Sequence, residues 1–371
     1  MLVLFSCQSG GAQRESAARA EAAKQSVPAK ISTLAGMPPV IDARNMYSET
    51  GPGMLSETVK NHPPRVYVPN GGSNSVSVID PVTFQVIETF RVGREPQHVV
   101  PSWDLKTLYA TNDLNNTLTV IDPATGKKGA TLSIDDPYNL YFTPDGKYAI
   151  VVAERMRRLD FREPGTMKLV KSLPVPCRGV DHIDFSIDGR YFIATCEFSG
   201  ELVKVDTAKM ELMGKIVTRG MPQDIKVSPD GKVFYVADMQ ANGVHLVDGD
   251  EFKVIGFLAT GKGAHGLYMS RDFQHLYCAN RGEGTISLID VATRSVAKKW
   301  TIPGGGSPDM GNVSADGKQL WLAGRYHHEV YVIDTATGVL IKRIKVGRNP
   351  HGLCVWPQPG RYSVGHTGIL R

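Results

Sequence analysis

The chain has 371 residues, and 42 Lys and Arg against 37 Asp and Glu give a net charge of +5, too small a bias for a nucleic-acid binder. Hydrophobic residues make up 42%, which excludes wholesale disorder. Five Cys over this length exclude a disulfide-stapled miniprotein, while 38 Gly, 23 Pro and abundant Val, Ile and Tyr point to short strands between turns.

Met1 to Phe5 are apolar but far too short to cross a membrane. Leu4-Phe5-Ser6-Cys7 has the form of a lipobox, with Cys7 as the lipidation site, although the basic and most of the hydrophobic part of a signal are missing. Residues 1–7 therefore read as a truncated signal remnant, with an accidental match on a cytosolic tail as the alternative. Residues 8–64 read as a tether followed by irregular chain. The first part is rich in Ala, Ser, Gln, Glu and Lys. The second, with Pro38-Pro39 and Pro63-Pro64, is expected to lie against the domain. Together these features predict an exported protein, periplasmic or at the cell surface, held at the membrane by a lipid anchor alone.

From residue 65 onward a period of about 42 residues takes over. VSVID (76–80), LTVID (118–122), LVKVD (202–206), VHLVD (244–248), ISLID (286–290) and VYVID (330–334) share one pattern, and the weaker MRRLD (156–160) fills the gap. The terminal aspartates are Asp80, Asp122, Asp160, Asp206, Asp248, Asp290 and Asp334, which makes seven units. Each unit reads as four strands, with Asp-Gly hairpin turns at Asp145-Gly146, Asp188-Gly189, Asp230-Gly231 and Asp316-Gly317. Seven antiparallel four-stranded units predict an all-β, seven-bladed propeller over residues 65–371. RVYVPN (65–70) lacks a preceding first strand and HGLCVW (351–356) lacks a following unit, so their pairing closes the ring. RYSVGHTG (361–368) competes with residues 65–70 for the same place.

The segments 66–80, 233–248 and 276–290 resemble the YVTN-type seven-bladed propellers. That group includes YncE-like envelope proteins and is related to the haem-d1 domain of cytochrome cd1 nitrite reductase. The resemblance implies the fold; for function it implies little, because binding proteins, lyases, lactonases and redox enzymes share it.

Strand order puts the Asp-Gly turns on one face of the disc and the blade-to-blade connections on the other. On the second face, the residues entering the first strands ring the channel mouth: His98, Tyr138, Asp181, His182, Asp224, His265, Asp309 and His351. Glu154, Arg155, Glu197, Asp238, Arg281 and Arg325 leave the second strands onto the same face. Imidazoles converging on an axis can ligate copper, zinc or a non-covalent haem, with His98, His182, His265 and His351 as ligands. Hydrogen bonding between blades is the competing role for each of these side chains. Cys177 and Cys196 also reach this face as a disulfide, as part of a metal site with His182 and Glu197, or as unrelated thiols; Cys278 and Cys354 are core residues. No C-x-x-C-H occurs, so covalent c-type haem is not expected.

Two main functions compete. One is a monomeric, exported binding or scaffold propeller that holds a small molecule or an envelope protein, with no cofactor needed for folding. The other is a metal- or haem-dependent redox enzyme using the same face. Lactonase or lyase chemistry, with His265 or His351 as base beside Glu154 or Glu197, is a third reading.

Overall fold

A computed structural model describes residues 31–371; Cys7 and the start of the tether lie outside the described residues. The described chain forms seven antiparallel sheets around a central axis. The innermost strands are Cys354–Trp356 in blade 1, then Pro96–Pro101, Pro137–Phe142, Val180–Phe185, Pro222–Val227, Ala264–Met269 and Pro308–Val313 in blades 2 to 7. Among the described residues, no helix is long and apolar enough to cross a membrane.

Burial follows the radius. The inner strands of blades 4 and 5 are buried along their whole length, whereas outermost strands such as Gln85–Arg91 face solvent. Apolar side chains pack between neighbouring blades: Trp321 of blade 7, fully buried, lies with Val66 and Val68 of blade 1. The repeated aspartate has a local cause. Asp80, Asp122 and Asp334 accept the backbone amides of Val82, Ala124 and Ala336 at 2.8, 2.9 and 3.1 Å, capping the turn between third and fourth strands. Blade 3 departs from the expected alignment. Its turn is capped by Glu163, which takes the Thr166 hydroxyl as Asp122 takes that of Thr125. Asp160, assigned to that role from the sequence, instead lies buried in the third strand, paired with Arg158 and Arg162.

The Asp-Gly hairpins carry a second repeated device. A Ser or Thr two residues before each aspartate donates to its Oδ1 at 2.6 Å, as in Thr143–Asp145, Ser186–Asp188, Ser228–Asp230 and Ser314–Asp316. The hydroxyl also accepts the amide that opens the next strand, for example that of Tyr191.

The ring closes where the termini predicted. Arg65–Tyr67 pairs antiparallel with Trp356–Cys354, so residues 65–70 win the second-strand position. The losing segment has a different destination. Residues 357–371 turn into the central channel, where Gly365 pairs with Tyr141. Ser363 donates to the Pro101 carbonyl, Thr367 to that of Gly311, and Arg371 reaches Asp184 at 2.6 Å. These partners belong to blades 2, 7 and 4, so the tail is a plug that touches opposite sides of the ring. Residues 31–64 run across the turn face as irregular chain: the Met46 amide bonds the Pro229 carbonyl, Tyr47 Oη bonds that of Val227, and Trp356 Nε1 bonds His62 Nδ1 at 3.1 Å. One end of the channel is thereby covered.

Cys177 and Cys196 form a disulfide, which removes both sulfurs from any metal site and ends the reading of two unrelated thiols. Cys278 and Cys354 are free and buried in the core.

Candidate functional site

The polar pairs point at the axis because the inner strands bulge there. In blade 4, Val180 pairs with Cys196 and Ile183 with Ala194, so Asp181 and His182 together face Thr195 alone. Blades 2, 5, 6 and 7 have the same irregularity at residues 97–98, 223–224, 265–266 and 309–310. Two residues opposite one kink the strand and re-aim its side chains. The displaced amides need new partners, and in blades 2 and 4 a threonine supplies them: His98 N donates to Thr111 Oγ1 at 3.1 Å and His182 N to Thr195 Oγ1 at 3.0 Å.

The bulges of blades 2, 4 and 6, together with His351 before the blade 1 inner strand and His366 on the plug, gather five imidazoles into one buried cluster. Ring centroids are 5.5 Å apart for His98–His182, 4.8 Å for His182–His366, 5.1 Å for His98–His366, and 4.8 Å for His98–His351. None is more than 2% exposed. The four histidines expected as one ligand set divide into two trios. His98 and His182 join His366, and His265 and His351 join Asp309; in each trio the ligating atoms lie within 4.8 Å of one another. His366 escaped the sequence reading because its segment was read as a competing blade strand. Its signal was an imidazole in a glycine-flanked tip, Gly365-His366-Thr367-Gly368. The residue holds φ +52, a left-handed conformation uncommon outside glycine and frequent at functional positions.

The two trios differ in electrostatics. Asp309 is held by the His265 imidazole at 3.0 Å and by two guanidiniums, Arg281 Nη1 at 3.2 Å and Arg325 Nη1 at 3.8 Å. Burial would raise its pKa, but His265, Arg281 and His351 together hold it well below the usual carboxylate range. Burial, aided by Arg281, lowers His265 to about 4. The first trio has carboxylates for neighbours instead. Asp181 is fully buried, and Oδ1 lies 2.9 Å from His182 Nδ1 at an angle that makes no hydrogen bond. Burial opposes the charged form of His182, yet Asp181, Asp224 and Glu197 outweigh it and raise its pKa. Burial, reinforced by His182, holds His98 and His366 well below the ordinary imidazole value, so both are neutral near pH 7. His98 Nδ1 lies 3.0 Å from the Tyr138 carbonyl; donating there leaves Nε2 with its lone pair facing the cluster. That Nε2, both ring nitrogens of His182, His366 Nε2 and both Asp181 oxygens have no hydrogen-bond partner.

The remaining residues singled out by sequence divide clearly. Glu154 and Glu197 border the cluster: burial and the Asp181 charge push them up to about 9 and about 7. Asp224 is buried but occupied, accepting the amides of Ile225 and Leu267 at 2.9 and 2.8 Å, and so staples blade 5 to blade 6. Asp238 accepts the amides of Met221, Gln240 and Ala241 and contacts His245, away from the cluster. Arg155 braces the blade 2–3 junction through Asp136 at 2.7 Å and Asp113 at 3.4 Å. Asp238 and Arg155 are brought near the face without joining the imidazoles, whereas Asp224 Oδ1 also lies 4.0 Å from His366 Nε2.

Glu154 gives a pH signature. Its folded pKa lies above its unfolded value, so between about pH 4.5 and about 9 the unfolded chain binds fewer protons and stability falls as pH rises. Chelator-treated protein is expected to lose roughly 1–3 kcal/mol between about pH 5 and about pH 9, less than the full shift because the group is partly screened. Glu154→Gln makes that slope shallower, leaving the part that Glu197 contributes. Denaturant unfolding across the pH series checks it, and equal slopes in both proteins would refute it.

Relatives place the fold in a family. The family model for YNCE-like beta-propellers matches residues 24–359. The uncharacterized protein YncE of Salmonella typhi is 22% identical over 274 residues, covering 66% of this chain and 73% of that protein; the Salmonella typhimurium counterpart is 21% identical over the same coverage. Among solved structures, Kuenenia stuttgartiensis hydrazine synthase superposes with a TM-score of 0.64 at 20% identity, over 73% of this chain and 92% of that one. A functionally unknown protein from Desulfotomaculum acetoxidans gives 0.66 at 16%, over 78% and 98%. The dihydro-heme d1 dehydrogenase NirN in complex with DHE gives 0.61 at 17%, over 87% and 78%. At these identities the structures share the fold alone. The seven closed blades and the family match together make the chain a member of the YNCE-like β-propeller family.

Proposed function

We propose that this chain is a metal-binding propeller of the cell envelope, with His98, His182 and His366 holding one late first-row transition ion, of the copper or zinc class, beside Asp181. One observation carries the reading: three buried imidazoles, two of them neutral near pH 7, converge beside the buried Asp181 carboxylate, and His98 Nε2, His366 Nε2 and both His182 ring nitrogens make no hydrogen bond. Leaving a buried polar group unmet costs about 1–3 kcal/mol. A scaffold would gain nothing from several such groups at one point, whereas an ion satisfies them together. Imidazole donors suit copper and zinc.

An ion suits this hub better than a macrocycle. The likeness to NirN raises haem as the alternative, but His98 and His182 are fully buried, with their ligating atoms within 4.8 Å of one another and of those of His366. The Cys177–Cys196 disulfide supports an oxidising compartment, in keeping with export and with lipidation at Cys7. The single-chain ring closure is in keeping with a monomer.

Elemental analysis of protein recovered from an oxidising compartment tests the reading. About one equivalent of copper or zinc per chain is expected, with an X-ray absorption shell of nitrogen and oxygen and no sulfur. Protein that arrives metal-free and takes up neither ion stoichiometrically on titration would overturn it.

A further inference from the structure

A cavity of about 40 Å³ lies at the covered end of the channel, bounded by the plug, by blades 5, 6 and 7, and by Tyr47 and Thr50 of the irregular chain. Lys226 of blade 5 lines it and is only 5% exposed. Its Nζ makes no hydrogen bond and no ion pair among the described residues, yet it is not sealed in protein as the unpartnered imidazole nitrogens are. The surface it keeps faces the cavity, and no residue lining that cavity is acidic. The two carboxylates whose charge reaches Lys226 are occupied elsewhere. Asp184 takes Arg371 at 2.6 Å and the Val227 amide at 2.9 Å, and Asp224 takes the amides of Ile225 and Leu267. Arg271, the second cation of the wall, donates only to neutral groups: the carbonyls of Thr50, Val313 and Ser314 and the Gln358 amide oxygen.

Three cations, Lys226, Arg271 and Arg371, therefore meet two carboxylates, Asp184 and Asp224, at this end of the channel. A buried charge is costly unless it is paired, and burial accordingly lowers the Lys226 pKa. The hydroxyls of the wall supply no counter-charge: those of Tyr47, Thr50 and Thr367 donate to backbone carbonyls. The volume has room for about three water-sized groups, which excludes any extended organic acid. We propose that this cavity binds one small monovalent inorganic anion, of halide to nitrate size, with Lys226 Nζ as its donor. This goes beyond the metal reading and shares no residue with the proposed ligand set. An ion so placed touches the plug, the blades and the irregular chain together, and holds the lysine in its charged form.

Diffraction from crystals of the full chain grown in bromide tests the assignment directly, with one anomalous peak per chain expected beside Lys226 Nζ. In solution, replacing gluconate, which is too large to enter, by chloride at constant ionic strength is expected to raise Tm saturably by about 1–3 °C. Lys226→Met is expected to fold, since it removes an unpaired buried charge. It should lose the chloride-dependent rise in Tm while taking up copper or zinc as the parent does. The bromide map needs no variant and decides alone if Lys226→Met does not fold. Bromide found only at surface positions, a Tm no higher in chloride than in gluconate, or a rise that survives Lys226→Met would overturn the proposal. Each of those results would leave the metal reading standing, because the imidazole ligands are untouched.

Discussion

Alanine at both His98 and His182 is expected to strip the hub of its ion while the propeller still folds. Loss of an outer-shell partner typically costs 10–100-fold in metal affinity, so losing two of three imidazole ligands should cost at least about 1000-fold. The fold should tolerate the change because it removes unpartnered buried nitrogens as well as packing. Alanine at His265 and His351 is the informative contrast. Their shared Asp309 is already neutralised by Arg281 and approached by Arg325, which disfavours a cation there, so this pair should keep the metal within about tenfold of the parent. Competitive titration against a chromophoric chelator measures both variants. If the second pair loses the metal and the first keeps it, the ion belongs to the Asp309 trio.

A substitution far from any ligating atom should have nearly as large an effect. Gly365 adopts φ +109, and a Cβ there would sit 2.5 Å from both the Leu140 carbonyl oxygen and the Tyr141 Cα. Backbone atoms cannot give way as a side-chain tip can. Gly365→Ala should therefore displace the plug at a cost of at least about 2 kcal/mol and carry His366 out of its trio. The expected result is metal loss matching that of His366→Ala, with the seven sheets retained. Hydrogen exchange should show residues 357–371 deprotected and the blade strands unchanged. Full metal binding in Gly365→Ala, with the tail still protected, would show that the plug does not position the third imidazole.

Much of this architecture could be read from the chain, and the parts that could not have physical reasons. The period and the closure by residues 65–70 and 351–356 were legible because they rest on local turn chemistry and on unpaired strand edges. The division of the four histidines was not, because it depends on which inner strands face each other across the axis. His366 was hidden because a short β-rich segment looks the same whether it completes a blade or fills a channel. Asp309 is the first residue of its bulge and Asp224 the second, and one spends its oxygens on arginines and imidazoles, the other on the amides of Ile225 and Leu267. Nothing in the residue type distinguishes them. Asp160 misled for the opposite reason: it matched the motif, while the turn itself had shifted to Glu163.

The plug has a consequence for the order of events in the life of the chain. The proposed donors come from blade 2, from blade 4 and from the tail beyond the last blade, so no partly synthesised chain contains the full set. Capture of the proposed ion can only follow completion of the circle, so an unfinished polypeptide cannot hold it.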